Sequence, residues 1–152
     1  MTDRAAIELA VDDSAPVRRL TVDDIVAGDA VVQVFVFDRS AREAFARVAN
    51  DRAPVHEDDR FAHAHGFRGP IIQGLCVSTR FSRLIGMYLP GEAAILERID
   101  LKFRHPTYEG VPVTFRAEVV RILRPMKVVR LAVSAACEGV VHVSGEAQCL
   151  IW

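Results

Sequence analysis

The chain has 152 residues, of which 51% are hydrophobic and 26% charged, and this composition fits one globular domain large enough to bury a core. Nineteen Lys and Arg residues oppose twenty Asp and Glu residues, so the net charge is -1 and no overall basic field exists to attract nucleic acid or an anionic membrane. The first residues are polar and contain no long apolar segment. We therefore expect neither a signal peptide nor a membrane span, and a cytoplasmic location.

The chain is predicted to begin with a loose arm at residues 1–19, which are polar and contain Ala and Pro, followed by a single domain at residues 20–152. The first clear element is a strand, because Val32, Val34 and Val36 alternate with other residues in a β-branched and aromatic run.

A helix is predicted from Ser40 to Asn50. Ser40 and Glu43 have the spacing of a capping box, and a stripe of Ala, Phe and Val residues follows at helical period. The polar segment from Glu57 to Gly69 is predicted to form a long crossing loop or a short irregular helix.

The second half predicts a buried helix and four strands. Apolar residues at helical spacing, interspersed with small ones, indicate a central helix within residues 70–89, before Pro90 and Gly91. Period-two alternation then predicts four antiparallel strands, with inward-facing residues at 99–103, 111–119, 129–135 and 141–149.

The cysteines and clustered histidines do not indicate a metal site. Cys76, Cys137 and Cys149 are odd in number, lie in apolar surroundings and lack CxxC spacing, so we interpret them as buried thiols. His63 and His65 have no Cys or acidic ligand at a fixed offset, and we interpret them as loop or substrate-rim residues.

A carboxylate and an imidazole, Asp51 and His56, stand five positions apart directly after the first helix. Pro54 lies between them and prevents the helix from continuing, so the backbone must bend and can bring both side chains to one point. This arrangement suits acid-base chemistry. Taken alone, the same residues also fit a loop cap and a surface imidazole.

Three segments together resemble one family. They are Asp51-Arg52-Ala53-Pro54-Val55-His56, Phe67-Arg68-Gly69-Pro70-Ile71-Ile72-Gln73-Gly74 and Phe103-Arg104-His105-Pro106-Thr107-Tyr108-Glu109-Gly110. In this order they are similar to motifs of the MaoC-like, hotdog-fold (R)-specific enoyl-thioester hydratases and 3-hydroxyacyl-thioester dehydratases. The resemblance implies an α+β hotdog fold, in which a curved antiparallel sheet wraps around a central helix.

The resemblance also assigns site residues. It implies that Asp51 and His56 are catalytic and that the N–H of Gly74 binds the thioester oxygen. The residues that it implies for substrate binding are Ala53, Pro54, Phe67 and Gln73. This chain departs from the family at two of these positions, because Ala53 stands where Asn is usual and Gln73 where His is usual.

The implied function is interconversion of trans-2-enoyl and 3-hydroxyacyl thioesters of coenzyme A or an acyl carrier protein. Neither a metal nor a redox cofactor is expected, and the protein is expected to act as a homodimer or larger homo-oligomer. Two alternatives stay open: a hotdog thioesterase, and a non-catalytic subunit that binds acyl thioesters or serves assembly. The departures at Ala53 and Gln73 motivate the second alternative.

Overall fold

A computed structural model describes residues 4–152 of the chain. The strands are β1 (Glu8–Ala10), β2 (Ala30–Val36), β3 (Ala94–Phe103), β4 (Pro112–Leu123), β5 (Val128–Cys137) and β6 (Val140–Ile151). The helices are α1 (Arg39–Ala49), α2 (Pro54–Glu57), α3 (Asp59–Ala64) and α4 (Gly74–Met87), with one 3-10 turn at Arg124–Met126.

The strands form one sheet in the order β1-β2-β4-β5-β6-β3. Strand β1 pairs with β2 in parallel, and every other neighbouring pair is antiparallel. The four strands predicted from period-two alternation are therefore confirmed as β3 to β6. Strand β3 lies at the edge of the sheet, with β6 on one side and no described strand on the other.

Helix α4 is the centre of the core. Val77, Phe81, Leu84 and Ile85 are buried on its inner face, and the Phe81 ring meets the Phe115 ring of β4 edge-on, with 5.5 Å between centroids. The helix contacts β2, β3 and β4. The predicted central, buried helix is confirmed, and so is the α+β class. Within the predicted range of residues 70–89, helix α4 begins at Gly74, because the preceding residue, Gln73, still has extended backbone angles.

Helix α1 differs from its prediction at its start and on its buried face. The capping residue is Asp38 rather than Ser40, because the Asp38 carboxylate accepts a hydrogen bond of 2.8 Å from the N–H of Ala41. Ala46 is the residue that the helix buries, whereas Val48 of the predicted apolar stripe is exposed. The helix ends at Ala49, and the next residue, Asn50, caps it in the left-handed conformation.

The prediction of a loose arm is wrong for residues 4–19. Strand β1 extends the sheet, the Arg4 guanidinium binds the buried carboxylate of Asp29, and the Tyr88 hydroxyl donates to the carbonyl of Asp12. Three strand residues are too few to show a period-two pattern, so the sequence contained no signal for this strand. Residues 1–3 of the predicted arm lie outside the described residues.

One strand departs from its predicted face. Val143 of β6 pairs with Ala135 and Val141 pairs with Ala136, so His142 is an extra residue that forms a bulge. The bulge shifts the alternation by one position, and Val141 is therefore exposed while Val143 is buried. The three cysteines are buried free thiols, as predicted.

Candidate active site

Asp51 and His56 are held by the turn between α1 and α2. After Asn50 reverses the chain, the Asp51 carboxylate accepts a hydrogen bond of 3.2 Å from the N–H of Ala53. Pro54 occupies the first turn of α2, where its missing N–H costs nothing, and His56 lies within this four-residue helix. The turn and the proline thus bring the carboxylate and the imidazole to the same place.

The proton position on His56 follows from its hydrogen bond. Its Nδ1 lies 2.8 Å from the backbone carbonyl oxygen of Ile71. A carbonyl can only accept, so Nδ1 carries the proton and, in the neutral ring, Nε2 presents a lone pair. That Nε2 faces Asp51 Oδ2 at 3.8 Å, which is too long for a direct hydrogen bond and fits a bridging water. Asp51 is 41% exposed and His56 only 13%.

The backbone of Ile71 and Ile72 fixes this arrangement. The N–H of Ile71 donates to the carbonyl of Val55, and the N–H of Ile72 donates to the carbonyl of Thr107. Helix α2 is therefore tied twice to the segment that enters α4, once through its backbone and once through the His56 ring. His56 cannot move far without breaking contacts to the start of α4.

A cavity of about 240 Å³ lies between this segment and the end of β3. His56, Gly74, His105 and Thr107 contribute to its wall, and the apolar part is formed by Phe67, Ile71, Ile72, Val77, Phe103, Pro106 and Val143. A small cavity with a largely apolar wall and a few polar groups is typical of a small-molecule site.

Gly74 lies at the N-terminus of α4, on the wall of this cavity. The first N–H groups of a helix have no acceptor within the helix and carry its positive dipole end, so they suit a developing negative charge. A Cβ atom at Gly74 would lie 3.0 Å from Cε1 of Phe103, which shows how closely the Phe103 ring approaches the backbone here. A glycine suits this position because the Phe103 ring lies so close to the backbone, and not because the backbone is left-handed.

The structure brings together only part of the predicted site. His56, Phe67 and Gly74 line the cavity, whereas Asp51 and the three proposed substrate-binding residues Ala53, Pro54 and Gln73 do not. Gln73 is 2% exposed, and its amide nitrogen donates to the backbone carbonyl of Asp51 at 3.3 Å, so this side chain contacts the loop that holds Asp51. Direct contact of these three residues with a substrate stays a prediction.

Other candidate groups have structural partners. His63 and His65 direct Nδ1 to the carbonyls of Asp59 and Phe61, and neither lines the cavity. Within residues 4–152, no group of three or more His, Cys, Asp or Glu side chains could hold a metal ion. Burial raises the pKa of Cys76 to about 11, so this thiol stays protonated and is a poor nucleophile at neutral pH.

The cavity also includes residues that the sequence did not single out. The predicted alternation places Phe103 on the inward face of its strand, but it does not extend to His105 and Thr107, which also line the cavity. His105 lies beside His142, with 5.5 Å between ring centroids, and burial together with the neighbouring His105 lowers the pKa of His142.

Residues 14–138 match the family model described as MaoC like domain. The chain belongs to this family. One relative, an (R)-specific enoyl-CoA hydratase from Aeromonas caviae, is 33% identical over 105 residues, which cover 68% of this chain and 78% of that protein. A mitochondrial 3-hydroxyacyl-[acyl-carrier-protein] dehydratase from Arabidopsis thaliana is 34% identical over 83 residues, covering 55% of this chain and 49% of that protein.

The solved structure of the R-hydratase PhaJ1 from Pseudomonas aeruginosa, in its unliganded form, superposes with a TM-score of 0.83 at 27% identity. The match covers 90% of this MaoC-like chain and 88% of the other. The hotdog fold expected from the three motifs is thereby confirmed. No helix in residues 4–152 is long and apolar enough to cross a membrane.

Proposed function

We propose that this MaoC-like chain is a hydro-lyase that interconverts trans-2-enoyl and (R)-3-hydroxyacyl thioesters. The observation that carries the proposal is the orientation of His56. Its Nδ1 proton is bound by Ile71, so the Nε2 lone pair faces Asp51 across 3.8 Å at a cavity that the N-terminus of α4 also borders. The named relatives catalyse this class of reaction.

In the hydration direction, a water held between Asp51 and His56 gives a proton to Nε2 while its oxygen bonds to the β-carbon of the enoyl thioester. The π electrons move toward the carbonyl, and negative charge develops on the thioester oxygen. The N–H of Gly74 is the proposed donor to that oxygen. Protonation of the α-carbon on the same face then returns the proton and completes the addition of water. Dehydration is the reverse.

The proposed substrates are acyl thioesters of coenzyme A or of an acyl carrier protein, since the relatives are named for both carriers. The reaction moves only water and protons, so it requires no redox cofactor. Phe67 on the cavity wall is a proposed contact for the acyl group. Ala53, Pro54 and Gln73 are proposed to shape the catalytic loop next to the substrate.

One assay tests the function. The purified chain is incubated with a crotonyl thioester while the absorbance of the conjugated enone and the appearance of free thiol are recorded. Loss of enone absorbance without free thiol is the expected result. Release of thiol would instead establish the thioesterase alternative. Binding of the thioester with neither change would establish a non-catalytic subunit, the alternative that Ala53 motivates by removing the usual amide beside Asp51.

A homodimer in the cytoplasm is part of the same proposal. The edge strand β3 exposes Ile95, Leu96 and Phe103, and a second copy of the chain would cover them. Light scattering coupled to size-exclusion chromatography should give twice the mass of one chain, and a monomeric mass at micromolar concentration would contradict the dimer. Location is checked by fractionation of cells that express the tagged full-length chain.

A further inference from the structure

The side chain of Arg42 connects α1 to the proposed catalytic helix. It is only 13% exposed, and two of its three nitrogens have different partners. Its Nη1 donates to the backbone carbonyl of His56, and its Nε donates to the carboxylate of Glu109. We propose that Arg42 and Glu109 are positioning residues that fix His56 for the reaction. This inference rests on the proposed function.

Helix α2 needs such support because it has four residues, too few to be stable by its own hydrogen bonds. The four consecutive carbonyls from Ala53 to His56 each have a separate donor. Three of the donors are backbone N–H groups. The N–H of His56 donates to the carbonyl of Ala53, that of Asp58 to the carbonyl of Pro54, and that of Ile71 to the carbonyl of Val55. The fourth carbonyl, that of His56 itself, is bound by Arg42. The carbonyl nearest the imidazole is thus held by a side chain rather than by the backbone.

Glu109 holds the Arg42 guanidinium in place by accepting its Nε hydrogen bond. It lies in the segment after β3, three to five residues beyond Arg104, His105 and Pro106, which line the cavity. The backbone of this segment is fixed next to Glu109, because the N–H of Gly110 donates to the carbonyl of Phe37 at 2.9 Å. The ion pair therefore joins α1, the cavity wall and α2.

An arginine is required for this double contact. Its planar guanidinium directs several donors at fixed angles, so one group can bind the carboxylate while another binds the carbonyl. A lysine has a single ammonium at the end of a flexible stem and cannot reproduce both contacts in the same geometry. Sequence spacing gives no sign of this role, because Arg42 precedes His56 by fourteen positions and Glu109 follows Arg42 by sixty-seven.

Loss of Arg42 should affect turnover more than substrate binding. Neither Arg42 nor Glu109 lines the 240 Å³ cavity, so KM should change little. The end of α2 would lose a fixed contact, however, and the His56 Nε2 would shift relative to the water. A misplacement on the order of 1 Å can lower the rate about 100-fold.

The test compares Arg42→Met, Arg42→Ala, Arg42→Lys and Glu109→Gln with the control Arg47→Met. Arg47 is an exposed arginine in the last turn of the same helix and has no hydrogen bond or ion pair with α2 among the described residues, so its replacement makes the same chemical change without breaking a contact to His56. With a crotonyl thioester, Arg42→Met should lower kcat on the order of 10- to 100-fold with KM within about twofold. The kcat values of Arg42→Lys and Glu109→Gln should lie between those of Arg42→Met and wild type, and the kcat of Arg47→Met should match wild type.

Two further measurements separate positioning from folding. Added guanidinium ion should restore part of the kcat of folded Arg42→Ala, because the free cation can occupy the vacated contacts. The ¹⁵N signals of the His56 ring should move in Arg42→Met and not in Arg47→Met. Unchanged kcat in folded Arg42→Met, or unmoved ring signals, would overturn the inference. A wild-type chain without hydratase activity would instead refute the proposed function, and the ring signals would still decide whether Arg42 positions His56.

Discussion

Replacing Gly74 tests whether the start of α4 takes part in the reaction or only in packing. In Gly74→Val the new Cβ would lie 3.0 Å from Cε1 and 3.1 Å from Cδ1 of Phe103. These distances are shorter than an ordinary van der Waals contact, so the ring must move by a few tenths of an ångström. The atoms that the Cβ would meet all belong to the ring at the end of the Phe103 side chain and not to backbone, so the ring can shift. Gly74 also has no left-handed backbone angle, so a side chain introduces no backbone strain.

The expected cost to stability is therefore at the low end of the range for overpacked sites, about 1 kcal/mol. For a chain of this size this corresponds to a fall in melting temperature of about 2–4 °C. The effect on turnover should be larger. The valine would stand between the helix N-terminus and Phe103, where the thioester is proposed to bind, and loss of one oxyanion donor typically lowers kcat by about 100- to 1,000-fold.

Thermal unfolding and specific activity are measured on the same preparation. Gly86→Ala is the matched control, because Gly86 lies in the same helix and a Cβ there meets nothing within 4 Å. It should be as active as wild type and more stable by about 0.5–1 kcal/mol. The reasoning is refuted if Gly74→Val lowers the melting temperature by far more than a few degrees while the remaining folded protein turns over normally. Gly74 would then belong to the core alone.

Three further predictions concern the catalytic pair, its loop and the docked N-terminal segment. Asp51→Asn and His56→Ala should each lower kcat on the order of 100-fold or more with folding intact, and the double variant should be far less than additive, whereas a wild-type rate in either single variant would contradict the assignment. Ala53→Asn should raise turnover of a crotonyl thioester by adding a fixed polar contact, and an unchanged or lower rate would indicate a site reshaped for another acyl group. Burial alone would raise the pKa of Asp29, but hydrogen bonds from Arg4 and from backbone N–H groups outweigh it and lower that pKa in the folded state. The ionised Asp29 carboxylate therefore stabilises the folded state at pH values above its unfolded pKa of about 3.9. This stabilisation is lost as pH falls through the lower pKa that Asp29 has in the folded state. Asp29→Asn should therefore lower the free energy of unfolding by about 1–3 kcal/mol at pH 7, with a difference that shrinks in urea titrations below about pH 4; a difference independent of pH would exclude the charge as the cause.

The sequence by itself determined the elements whose signal repeats locally. Period-two alternation defined β3 to β6, and helical spacing with Pro90 and Gly91 defined α4, because each pattern reports which face of an element is buried. Pro54 between Asp51 and His56 also predicted the bend that unites them, since proline acts on its immediate neighbours. The three motifs then identified the family and fold, which the matches confirm.

Only the tertiary structure decided the features that depend on contacts between distant segments. Strand β1 docks on β2, and the His142 bulge reverses one face of β6. Likewise, the tautomer of His56 depends on a carbonyl fifteen residues away, and the Arg42–Glu109 pair spans sixty-seven positions. Such contacts produce no repeating pattern in the sequence, because each one joins two particular segments once. Their positions depend on how the whole sheet packs on α4.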